Sequence, residues 1–120
     1  MHSKEELQER LKKFALDTLR TIKNLPRTEE NRIYGRQVLR SSSSIGANYA
    51  EALYAHSRQD FIHTINLCRK EANETLYWLK MIQSANKTMP IDVLMNESQQ
   101  ILKIFISSVK TAKERAENGK

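Results

Sequence analysis

Residues 40–53 read RSSSSIGANYAEAL, and whether this segment is helix or loop decides the fold. Four consecutive serines and Gly46 are weak helix formers, because serine hydroxyls compete for backbone groups and glycine is conformationally free. Against that, Arg40, Ser44, Asn48 and Glu51 fall three or four residues apart, the spacing that aligns side chains on one stripe of an α-helix. Helix-forming neighbours outweigh local costs of a few tenths to about 1 kcal/mol each, and serine hydroxyls in a helix can bond the carbonyl one turn back. The segment therefore reads as helix. Ile45, Ala52 and Leu53 flank the stripe, which predicts that it faces a core, where small side chains admit a neighbouring backbone and polar ends need partners. A solvated polar face is the competing reading.

Upstream, Thr28 is a candidate N-cap with Glu29 and Glu30 in the electropositive first turn, and nothing breaks the pattern until about His56. The spacing predicts a second helix of roughly 25 residues, roughly 40 Å long at about 1.5 Å per residue. Before it, Ser3 and Glu6 form a capping-box start, and Leu7, Leu11, Phe14, Thr18, Ile22 and Leu25 recur at helical spacing. This first helix stops near Asn24, because Pro26 disfavours helical geometry at Leu25 and supplies no N–H. Downstream, Ser57 and Asp60 resemble a capping box ahead of a third stripe of Phe61, Ile65, Cys68, Ala72, Leu76, Leu79 and Ile82. NKTMP at 86–90 ends it. Leu94, Ser98, Ile101, Phe105, Ser108 and Ala112 define a fourth helix, with the terminal ENGK expected to fray.

A chain of 120 residues with 39% hydrophobic content has room for one core, hence a single domain over 1–120. Only three Gly and two Pro interrupt it, which favours an all-α protein. Four helices with short connections imply an antiparallel up-down-up-down four-helix bundle. Folding the second and third helices about a turn near His56 brings residues whose numbers sum to roughly 112 to one height. Arg40 then meets Glu71 and Glu74, read as an internal ion pair. If fully buried, that pair would make loss of Arg40 cost about 3 to 5 kcal/mol. Ser44 lies level with Cys68 and Asn48 with Thr64, so Asn48 is expected to hydrogen-bond across helices.

Sites for chemistry are not visible in the sequence. Cys68 is the one cysteine, so no internal disulfide forms, and residues 1–9 (MHSKEELQE) lack the features of a signal peptide; a cytoplasmic protein is expected. No run approaches membrane-spanning length. His56, His63 and Cys68 include good zinc ligands, but His56 to Cys68 spans three helical turns and His63 to Cys68 is an i, i+5 pair, so no metal is assigned. Glu71 and Glu74 lack a nucleophile, second base or phosphate loop, and the serine run lies in neither a G-x-S-x-G nor a Ser-x-x-Lys pattern. No catalytic residue and no cofactor is assigned, and a non-enzymatic protein is expected.

Two surfaces remain. LYWLKMI at 76–82 and ILKIFI at 101–106 are apolar nearly all round, whereas a monomeric bundle needs one stripe per helix. Tyr77, Trp78, Met81, Leu102 and Ile106 lie off the core stripes and are the expected subunit contacts of a cyclic homo-oligomer. The net charge of +6 and pI of about 9.6 suit an acidic partner. Lys13, Arg20, Lys23, Arg27, Arg32 and Arg36 form a basic face that a ring would repeat on every subunit, although lysine and arginine also cover ordinary solvated helix surface. Two functions follow from these surfaces: binding of RNA, or a protein-interaction scaffold whose charge is incidental.

Arg40, Ser44-Ile45, Ala47-Asn48 and Ala50-Glu51, followed by Ser57, Phe61-Ile62, Glu71, Glu74 and Tyr77-Trp78-Leu79, resemble the four-helix-bundle proteins encoded in intervening sequences of bacterial 23S ribosomal RNA genes. The match covers residues 28–82 well, and helices one and four agree in general pattern. The resemblance implies a small bundle that assembles as a ring, often of five subunits, with no known catalytic site. A more distant similarity is to the accessory variability proteins of diversity-generating retroelements, basic pentameric bundles that work with a reverse transcriptase and its RNA. That analogy implies RNA, or a protein such as a reverse transcriptase, as partner.

Overall fold

The computed structural model describes residues 3–119. Helix α1 spans Lys4–Lys23, α2 Glu29–Ala52, α3 Arg58–Ala85 and α4 Asp92–Asn118. The three expected caps are in place: Ser3, Thr28 and Ser57 accept the N–H groups of Glu6, Asn31 and Asp60 at 3.1, 3.1 and 3.0 Å. Each satisfies one donor that a helix start otherwise leaves bare. Helix α4 has no side-chain cap; the chain enters it at buried Ile91. Two boundaries differ from expectation. Helix α2 ends at Ala52 rather than near His56, where Tyr54 and Ala55 donate to Glu51 and Ala52 in turn geometry. Helix α4 continues through Glu117 and Asn118 instead of fraying, with Lys120 outside the described residues.

Consecutive helices run antiparallel. Gly35 and Gly46 of α2 lie beside Ile22 and Leu11 of α1, Asn31 and Arg40 reach Asn86 and Glu71, and Gln83 and Arg58 reach Asp92 and Arg115. Helix α4 returns alongside α1, while the diagonal pairs α1/α3 and α2/α4 make no close backbone approach among the described residues. The result is the expected up-down-up-down four-helix bundle, 53 × 23 × 21 Å. Its core runs the length of the bundle, with Leu11, Phe14, Val38, Ile45, Ile65, Leu79, Ile82, Ile101 and Phe105 all but inaccessible. Burying each such side chain contributes about 1.5 to 3 kcal/mol, and the predicted stripes of α1, α3 and α4 supply most of them.

Helix α2 is the exception, because its inward face lies one residue along from the predicted stripe. The buried set is Asn31, Gly35, Val38, Ser41, Ser42, Ile45, Tyr49 and Ala52. Arg40 and Glu51 are exposed, and Ser44 and Asn48 are half-buried at the edge. The large apolar side chains of Val38, Ile45 and Tyr49 set the rotation of the helix, which carries Ser41 and Ser42 inward in place of Ser44. Close approach depends on Gly35, where an added Cβ would stand 3.0 Å from Ile22; at Gly46 the nearest side-chain atom is 3.6 Å away, in ordinary contact.

Candidate interaction surfaces

The polar line on α2 forms the cross-helix ion pair, but at the surface. Arg40 donates to Glu71 Oε2 and Oε1 at 3.3 and 3.2 Å and also to Glu74, which accepts from Trp78 Nε1 at 3.2 Å. Hydrogen bonding to Glu71, then to Glu74, raises the Arg40 pKa above its ordinary value. With the Arg40 side chain 48% exposed, this is not the buried pair expected from sequence. Ser44 donates to the Arg40 carbonyl at 2.8 Å and Asn48 to the Ser44 carbonyl at 2.9 Å. Both bonds lie one turn back within α2, so Asn48 does not make the expected cross-helix bond, and exposed Glu51 takes no part in a buried network.

The polar groups buried between α2 and α3 are different ones. Thr75 Oγ1 lies 2.8 Å from Ser41 Oγ and from the Glu71 carbonyl, so the hydroxyls satisfy each other and the helix backbone. Cys68 Sγ donates to the Ile45 carbonyl at 3.7 Å, and burial pushes its thiol up to about 12. At one end of the bundle, Asn31 and Asn86 exchange amide bonds of 2.8 and 2.7 Å. Asn31 also donates to the Pro26 carbonyl and Asn86 to that of Ile82. This lock ties the α1–α2 turn to the α3–α4 turn. Sequence reading missed it, although an Asn in a first helical turn and another after a last one are residues suited to such caps.

The basic set is not uniformly available. Lys13 and Arg20 both pair with Asp17 at 2.7 Å, and Arg32 pairs with Glu29. Lys23, Arg27 and Arg36 are exposed and make no ion pair among the described residues. Around Trp78 an aromatic group forms: Tyr34 stacks at 5.9 Å between centroids and Tyr77 meets it edge-on at 5.0 Å. Trp78 and Leu102 pack partly against the core and Met81 is half-buried, while Tyr77 and Ile106 remain 55% and 50% exposed. The apolar surplus predicted from sequence is therefore concentrated at these last two.

No cluster of three His, Cys, Asp or Glu among the described residues could hold a metal ion: His63 is exposed, His56 lies 3.9 Å from Asp60, and Cys68 is buried. No described helix is long and apolar enough to cross a membrane.

Comparison with known proteins agrees with this architecture. A protein of unknown function from the S23 ribosomal protein family of Bacteroides thetaiotaomicron has a similar structure, with a TM-score of 0.77 and 36% sequence identity over 86% of this chain and 97% of that one. No curated protein matches. Residues 4–107, which take in all of α1, α2 and α3 and more than half of α4, match the 23S rRNA-intervening sequence proteins. By this match and by its fold, the chain belongs to the 23S rRNA-intervening sequence protein family.

Proposed function

We propose that this protein is a non-catalytic, self-assembling bundle that binds RNA through phosphate contacts. The carrying observation is that Lys23 at the end of α1, Arg27 in the turn and Arg36 on α2 stay exposed and make no ion pair among the described residues, while neighbouring Lys13, Arg20 and Arg32 are engaged. Unengaged cations attract a polyanion most strongly, because no internal ion pair must be broken first. Three such contacts on one copy are weak. A cyclic assembly through Tyr77 and Ile106, with Trp78, Met81 and Leu102 behind them, would repeat them so that they act together on one long RNA. The resemblance noted above points to five subunits. Lysine and arginine reach phosphates rather than base edges, so the reading is of binding that ignores base sequence.

Exposed Tyr77 and Ile106 also favour a second reading, a scaffold for a partner such as a reverse transcriptase with no RNA contact of its own. Titration of a generic structured RNA at about 50 and 200 mM salt separates the two. For three phosphate contacts per copy, affinity should fall about 40-fold over that range, and more if several copies engage. Changing Lys23, Arg27 and Arg36 to Glu should abolish the low-salt binding. Absence of binding at low salt, or equal binding by the triple variant, favours the scaffold. Light scattering at micromolar concentration tests assembly, and a species of only 14.0 kDa would rule it out.

A further inference from the structure

Of the four seams in the bundle, the one between α1 and α4 has the least packing. Arg10 bridges it to Glu97 with bonds of 2.7 and 2.8 Å. Beside that bridge the seam opens into a groove of about 850 Å³ along one flank of α4, from Gln100 to Arg115. Its floor is apolar: Leu7 from α1, Tyr49 from α2, Phe61 and Ile65 from α3, and Ile104 from α4. Its polar lining is one-signed. Arg58, Lys103 and Arg115 contribute cations and Ser107 and Thr111 contribute hydroxyls, while no Asp or Glu among the described residues lines it. The Arg58 guanidinium is held in place, since Nη1 donates to the Arg115 carbonyl at 2.8 Å and a Cβ on Gly119 would come within 2.6 Å of the same atom. One N–H is so engaged, leaving four on a cation whose position is already fixed at the groove.

We propose that this groove binds an amphiphilic organic anion. The apolar body of the ligand lies on Leu7, Phe61, Ile65 and Ile104, and its carboxylate or phosphate head takes hydrogen bonds and charge from Arg58 and Arg115, while Lys103 stands about 18 Å along α4 at the other end of the groove. The volume falls in the range of about 300 to 1,000 Å³ typical of small-molecule sites, and an apolar floor with a few convergent polar groups is their usual composition. A purely apolar ligand would leave Arg58 and Arg115 unused, and an inorganic anion would leave the floor wet. The proposal is independent of RNA binding, which rests on Lys23, Arg27 and Arg36 around the α1–α2 turn.

The test is fluorescence titration with 1-anilinonaphthalene-8-sulfonate, an aromatic anion that brightens in apolar surroundings. Dodecanoate and adenosine monophosphate serve as competitors. Saturable one-to-one binding is expected, displaced by at least one of the two. Displacement by dodecanoate assigns a carboxylate on an alkyl body, and displacement by the nucleotide assigns a phosphate on an aromatic one. Arg115→Glu reverses the charge beside Arg58, and Ser108→Trp fills the groove without changing charge. Each should weaken binding at least tenfold while circular dichroism and the thermal transition stay native, and Lys80→Glu, outside the groove, should change nothing. The uncharged analogue N-phenyl-1-naphthylamine should bind wild type at least tenfold more weakly. Non-saturable binding, equal binding by Arg115→Glu and Ser108→Trp, or failure of both competitors overturns the proposal. So does loss of dye binding on concentration in step with self-association, which would make a second copy the occupant of the groove.

Discussion

The α2–α3 seam and the α1–α4 seam are built from the same kinds of residue and reach opposite outcomes. Between α2 and α3, small side chains at Ser41, Ala72 and Thr75 bring the helices together, their hydroxyls satisfy each other and the backbone, and Arg40 clasps two carboxylates outside. Where α4 runs on past the start of α1, hydroxyls at Ser107 and Thr111 line an open groove floored by Tyr49, Phe61 and Ile65, and one ion pair, Arg10 with Glu97, bridges α1 and α4 beside it. Small polar residues make a tight seam only when they meet partners across it; facing a gap, they stay solvated. The closed seam therefore carries stability, and the open one is free to carry function.

The sharpest way to break this comparison is to truncate one isoleucine in each seam. Ile45 is 1% exposed, and Ile45→Ala should cost about 2 to 5 kcal/mol through lost burial and the cavity left behind. Ile104 is half-buried at the groove, and Ile104→Ala should cost less than about 1.5 kcal/mol because solvent can fill the space. Urea midpoints at constant m-value measure both. Equal costs would show that the groove side is as tightly packed as the α2–α3 side.

Cys68 probes the closed seam through the ionisation and reactivity of its thiol. Its thiol is raised from about 9 to about 12, because the thiolate is penalised by burial. Below pH 9 both folded and unfolded forms keep the proton and the group is neutral to stability. From pH 9 to 12 the unfolded form releases its proton first, so stability falls as pH rises, by up to about 1.4 kcal/mol per unit. Cys68→Ala should flatten that part of the stability profile. In native protein at pH 8, iodoacetamide should leave Cys68 unmodified until urea unfolds the chain; prompt alkylation would mean that the seam opens readily.

Asn31→Ala should have a smaller effect, about 1 to 3 kcal/mol, since it leaves the Asn86 amide and the Pro26 carbonyl short of partners near the bundle end. Hydrogen exchange should speed up in both the α1–α2 and α3–α4 turns. A change confined to the first turn would show that the two turns are not coupled.

Much of the fold was legible because it rests on local chemistry. Caps at Ser3, Thr28 and Ser57, the break at Pro26, and apolar residues at helical spacing on α1, α3 and α4 each act within a turn or two of chain. What misled was α2, where Arg40, Ser44, Asn48 and Glu51 share helical spacing with the true core stripe one residue along. Spacing gives periodicity but not phase when serines occupy both candidate faces, and the phase was set by the bulk of Val38, Ile45 and Tyr49. The antiparallel register was accurate enough to pair Arg40 with Glu71 and Glu74, although the depth of that pair was not. The α1–α4 groove was not legible at all. It depends on residues from all four helices meeting at one end of the bundle, and Lys103 and Arg115 looked like ordinary surface until Leu7 and Phe61 appeared beside them.

Arg40 sets the smallest effect and tests the corrected depth directly. A buried pair would make Arg40→Ala cost about 3 to 5 kcal/mol, because a carboxylate would be stranded in low dielectric. With Arg40 at 48% and Glu74 at 39% exposure, both charges keep much of their hydration, and the expected cost is at most about 1 kcal/mol. The pair should also weaken with salt, since partly exposed charges are screened over a Debye length of about 8 Å at 0.15 M. Losing Glu74 removes an acceptor for both Arg40 and Trp78 Nε1, so Glu74→Ala should cost slightly more than Arg40→Ala. The coupling energy in the double variant should stay below about 1 kcal/mol at low salt and shrink further at high salt. A cost above about 3 kcal/mol for Arg40→Ala, insensitive to salt, would mean that something covers this face in solution. A neighbouring subunit seated beside Tyr77 would do so, and the α2–α3 side would then be both the tight seam and the assembly surface.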